Sequence, residues 1–146
     1  MSIDSYFSEL IEELNSKLFS KQSQATKVIL LEGDLGVGKT QFVKEFLRAR
    51  GFDSVQSPTY LKMLDYDVVG IGKVLHLDCY RVDSVGEISN LSLEHYEEVA
   101  LIFVEWPKIF LKYLETEFSG LHEFDCELLD LKVNPKGKRS WSWQKK

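Results

Sequence analysis

The chain has 146 residues and a net charge of −5 at neutral pH, with 44% hydrophobic and 28% charged residues, which is ordinary for one globular domain covering 1–146. No apolar run approaches the ~20 residues that cross a membrane, and "MSIDSYFSEL" is acidic and amphipathic rather than a secretory leader. The acidic balance also argues against a free-standing nucleic-acid binder, whose affinity comes from neutralising phosphates.

Ile3, Tyr6, Phe7, Leu10, Ile11, Leu14 and Leu18 recur at helical spacing and predict an opening amphipathic helix. "KQSQAT" links it to the strand "KVILLE". A glycine-rich loop follows, and "KTQFVKEFLRARG" reads as a helix closed by Gly51, with Phe42, Val43, Phe46 and Leu47 facing the core. "PTYLKMLDY" and "GKVLHLDCY" predict two strands joined by a turn around "DVVGIG". "SVGEISNLSLEHYEE" is helical or looped. "VALIFVEW" is a second buried strand and "PKIFLKYLETEF" a helix started by proline. "HEFDCELLDLKV" and "KRSWSW" close the fold as strands around the "NPKG" turn. The expected class is α/β, a single-domain P-loop NTPase fold with a largely parallel central sheet flanked by helices.

Gly33, Gly36, Gly38, Lys39 and Thr40 satisfy G-x-x-x-x-G-K-[ST] between a strand and a helix. Glycines let the backbone of Gly33, Asp34, Leu35, Gly36, Val37 and Gly38 curl so that successive N–H groups face an anion. The helix that follows adds the positive end of its dipole. Lys39 neutralises the terminal phosphates and Thr40 offers its hydroxyl to Mg²⁺. Magnesium also calls for an acid at the end of a buried strand. Glu105 ends "ALIFVE" and Asp78 ends "KVLHLD". The cleaner apolar run favours Glu105 on the metal, which leaves Asp78 further out or beside the attacking water.

Three other features read either way. Ser57-Pro58-Thr59-Tyr60 is an ordinary Ser-Pro turn or a segment that senses the γ-phosphate. His76, in mid-strand, reads as structural more readily than as a ligand. Lys132 to Lys146 holds six basic residues and no acid, so it is a solvated edge strand or a contact for RNA or nucleotide phosphates. Cys79 and Cys126 lack metal-type spacing and are expected as buried free thiols in a reducing compartment, the cytoplasm.

"GDLGVGKT", "SPTY", "HLDCYR" and "VEWP", in this order, resemble the TsaE (YjeE) family, the ATPase component of bacterial tRNA threonylcarbamoyladenosine synthesis. The resemblance runs from about Leu31 to Pro107. It implies ATP on Gly33 to Thr40, magnesium between Thr40 and Glu105, and a hydrolytic role for Asp78. It makes Ser57 to Tyr60 switch-like and places Trp106 at the site. It also implies TsaD and TsaB as partners, which handle the threonylcarbamoyl-adenylate and the tRNA while ATP turnover resets the assembly. The chain departs from the family where Gln41 replaces a common second threonine beside the α-phosphate and where Ser92 replaces a common glycine. Gly137 and Lys138 stand for its C-terminal Gly-Arg turn near the nucleotide. A small-molecule phosphotransferase is the alternative on the same fold; against it, the chain shows no arginine-rich lid.

Overall fold

Apolar residues on both faces of one strand organise the molecule. In the computed structural model, which describes residues 5–19, 25–52, 63–96, 98–117 and 124–146, β1 (Thr26–Glu32) buries Ile29 and Leu31 in one core and Val28 and Leu30 in the other. Such a strand needs cover on both sides, as parallel sheets have. β1 pairs in parallel with β4 (Val99–Glu105) and with β5 (Phe124–Val133). The complete order is β2-β3-β4-β1-β5-β6. β3 (Gly72–Asp78) runs parallel to β4, whereas β2 (Met63–Val68) and β6 (Arg139–Lys145) form antiparallel edges.

The first core packs α1 (Ser5–Phe19) and α2 (Lys39–Arg48) on one face of the sheet. Phe42, Val43, Phe46 and Leu47 are fully buried there, as their spacing predicts. Burying each such side chain stabilises the fold by about 1.5–3 kcal/mol before entropy is counted. Phe103 meets Phe42 and Phe46 edge-on, at 6.0 and 5.3 Å between centroids, which ties α2 to β4. Gly51, at φ 99, closes α2 through its N–H to Arg48 O and the Phe52 N–H to Leu47 O. The second core sets α3 (Val85–Ser89) and α4 (Lys108–Glu117) on the opposite face, around Ile88, Phe110 and Tyr113. Ser92 adopts φ 56, a left-handed conformation that favours glycine.

Lys27 is buried between Asp125 and Glu127, while Lys17 reaches Glu127 at 2.8 Å and Lys145 reaches Asp125 at 3.2 Å. Part of the basic C-terminal segment is thus used internally. Trp141 likewise donates its indole N–H to Glu13 at 2.8 Å. Among the described residues no helix is long and apolar enough to cross a membrane.

Candidate phosphate-binding site

The site lies outside the carboxyl ends of β1, β3 and β4, where open α/β sheets place ligands. Three positive-φ glycines shape the loop leaving β1: Gly33 at 142°, Gly36 at 79° and Gly38 at 114°. Gly33 is required for space as well, since a Cβ there would lie 2.6 Å from both Leu131 O and Val37 Cγ1. The Val37 N–H donates to Asp34 O at 3.1 Å and so tightens the curl.

Lys39, the first residue of α2, is buried and donates to the carbonyl of Gly33. Its ammonium also lies 3.5 Å from the centre of the Trp106 ring. Burial pushes the Lys39 pKa down, while the charges of Glu105, Asp78, Asp34 and Glu32 oppose that shift. The next residue, Thr40, donates its hydroxyl to Glu105 Oε1 at 2.7 Å. Glu105 closes β4 beside Asp78, its register partner at the end of β3. Burial raises the Asp78 pKa, and the Tyr80 N–H donated to Asp78 Oδ1 at 3.0 Å works the other way.

A cavity of about 520 Å³ is lined by Lys39, Thr40, Gln41, Asp78, Glu105 and Trp106, together with Leu35, Gly36 and Gly38. Residues widely separated in sequence therefore meet at one opening. The Gln41 amide is turned along the helix to Glu45 Oε1 at 2.6 Å. A second cavity, about 730 Å³, adjoins the other flank of the loop. Asp130, Leu131, Lys132, Val133, Asn134 and Ser140 line it with Gly33 to Val37. Gly137, at φ 82, and Lys138 belong to the turn joining β5 and β6; the cavity lining takes Asn134 and Ser140 from either side of them and not these two residues. Ser57, Pro58, Thr59 and Tyr60 lie outside the described residues.

Sequence reasoning passed over Lys44, Tyr80 and Arg81, which also line the 520 Å³ cavity. The helical interval from Thr40 to Lys44 was a signal, because residues four apart share a face. Tyr80 and Arg81 stand two and three residues after the strand-ending acid Asp78. Reading His76 as structural missed its ring Nε2, 2.7 Å from Glu105 Oε2.

Comparison with known proteins places these features in context. The family model for the threonylcarbamoyl adenosine biosynthesis protein TsaE matches residues 7–138. A tRNA threonylcarbamoyladenosine biosynthesis protein TsaE of Rickettsia bellii is 35% identical over 127 residues, covering 83% of this chain and 85% of that one. The protein of the same name from Bacillus subtilis is 33% identical over 103 residues, covering 70% and 64% of the two chains. The crystal structure of Bacillus subtilis YdiB superposes with a TM-score of 0.62 at 21% identity, over 99% of this chain and 82% of that one. That likeness supports the P-loop NTPase fold.

Proposed function

The chain belongs to the TsaE family, whose members are proteins of tRNA threonylcarbamoyladenosine biosynthesis, and from that premise we propose that it binds and slowly hydrolyses ATP with magnesium. The observation that carries this reading is the Thr40–Glu105 hydrogen bond at the mouth of the cavity that holds Lys39. A hydroxyl and a carboxylate oxygen are hard donors, and magnesium is commonly held by one or two carboxylates plus substrate phosphates. The donor set fits: Thr40 and Glu105 would hold the ion, directly or through water. Bound with the nucleotide, magnesium supplies neutralisation of charge on the phosphate oxygens.

The remaining work falls to the chain. Backbone N–H groups of the loop, apart from that of Val37, which Asp34 O takes, orient the phosphates, and Lys39 leaves the Gly33 carbonyl to meet them. Asp78, its pKa raised by burial, orients the attacking water and takes up its proton. The 730 Å³ cavity beside the loop gives the nucleoside room. Turnover serves the TsaD–TsaB pair in the cytoplasm, tRNA being engaged through that assembly, and threonylcarbamoyl transfer is not performed by this chain.

Thermal melting with Mg-ATP tests the core of the proposal. A ligand that binds only the folded state at a hundredfold excess over Kd should raise Tm by roughly 5–10 °C in a chain of this size. Lys39→Ala should remove that shift. An equal shift in the variant would show that the loop is not the site.

A further inference from the structure

Glu105 is buried, and donors from two different elements occupy its two oxygens. The Thr40 hydroxyl on α2 takes Oε1 at 2.7 Å, and the His76 ring on β3 takes Oε2 at 2.7 Å. The terminal torsion of a glutamate is otherwise broad. Two donors approaching from separate elements remove that freedom and give the carboxylate one orientation.

His76 is itself fully buried, and among the described residues its Nδ1 has no hydrogen-bond partner. That orphaned atom sets the direction of the bond to Glu105. A carboxylate offers only lone pairs, so the hydrogen belongs on Nε2. The opposite tautomer would set two lone-pair atoms 2.7 Å apart and leave a buried N–H without an acceptor. A buried ring with one unsatisfied nitrogen is a poor core filler, since an apolar side chain would avoid that desolvation cost. Packing alone does not account for histidine in the run Val74 to Leu77.

We propose that His76 is a positioning residue for the magnesium site: it holds Oε2 of Glu105 so that Oε1 stands beside the Thr40 hydroxyl. The inference rests on the reading of Glu105 as the acid serving the metal. Partners that orient a metal-binding side chain typically change metal affinity by about 10–100-fold when they are lost.

The test compares His76→Gln with His76→Asn, two polar replacements of which the longer amide alone reaches the place of Nε2. ATP binding is measured first in chelator, then as a function of Mg²⁺. In His76→Asn the Mg²⁺ concentration for half-maximal binding should rise about tenfold or more, with chelator binding within about twofold of wild type. His76→Gln should return the Mg²⁺ requirement to within about threefold of wild type. Equal Mg²⁺ requirements in both variants and wild type would overturn the role of His76, as would an equal rise in both variants or a matching loss of chelator binding. Absence of any Mg²⁺ dependence in the wild type would instead overturn the metal reading itself, and this inference with it.

Discussion

The Lys39 ammonium and the Trp106 ring face each other at 3.5 Å, and Trp106 is held at φ 57, a conformation that a bulky residue rarely adopts. The ring also packs on Tyr80, with centroids 4.9 Å apart. A triphosphate seated in the loop competes for the same ammonium, so binding should change the surroundings of the indole. With Trp141 and Trp143 replaced by Phe, Mg-ATP should alter the emission of the remaining Trp106. In that background Lys39→Ala should change the starting emission and abolish the response. Emission unaffected by saturating nucleotide would show that the ammonium stays on the ring.

The two strand-end acids should separate in function. Glu105 bonds Thr40, whereas Asp78 is turned to the Tyr80 N–H. Glu105→Ala is expected to raise the Mg²⁺ requirement for ATP binding about tenfold or more. Asp78→Ala should slow hydrolysis by roughly 10²–10⁴ while ATP still binds, the range that a positioned acid or base supplies. Metal titrations and single-turnover rates on both variants decide the matter, and the reverse pattern would exchange the roles.

How much of this was readable beforehand follows from the range of each signal. The loop, α2 and the β5–β6 hairpin are written in neighbouring residues: glycines at fixed offsets, Phe42 to Leu47 at helical spacing, alternation around "NPKG". The insertion of β5 beside β1 is not, because parallel partners share no turn. His76 illustrates the same limit. In the apolar run of β3 it looks like core, and its meaning comes from Glu105, 29 positions away on the neighbouring strand. Trp106 beside an acid says little until Lys39 is seen against its ring. The family resemblance placed Trp106 at the site and gave His76 no role.

Asp78 should also carry a pH signature in stability. Burial raises its folded-state pKa above the unfolded value of 3.8. The folded chain therefore binds that proton more readily, and the resulting stabilisation is present below pH 3.8 and is lost as pH rises through the folded pKa. At neutral pH the ionised Asp78 is a cost to the fold. Asp78→Asn, whose Oδ1 still accepts from Tyr80, should raise Tm at pH 7, with the gain shrinking as the solution is acidified. Melting curves from pH 7 to pH 4 measure it. A gain that is constant across that range would assign the effect to something other than titration of this carboxyl.

The exposed rim of the phosphate cavity leads to the last expectation. Leu35 and Tyr80 are exposed there, at 68% and 52%, and the Arg81 side chain beside them is exposed as well. A guanidinium that engages the phosphates only when a partner covers this rim would leave turnover slow in the isolated chain, because an arginine finger is worth about 10³–10⁵ in rate where phosphate-loop enzymes use one. ATP hydrolysis should therefore be slow alone and faster with the TsaD–TsaB pair. Arg81→Ala should keep ATP affinity within about threefold and lose most of the stimulation, because the missing group acts on the transferring phosphate more than on the bound one. Thr59→Ala tests the switch-like segment in the same assay, with retained binding and lost stimulation expected. Turnover measured with and without the pair, for wild type and both variants, separates the contributions. Equal wild-type rates alone and in the mixture would refute the coupling, while full stimulation of Arg81→Ala would leave the coupling standing and remove Arg81 from it.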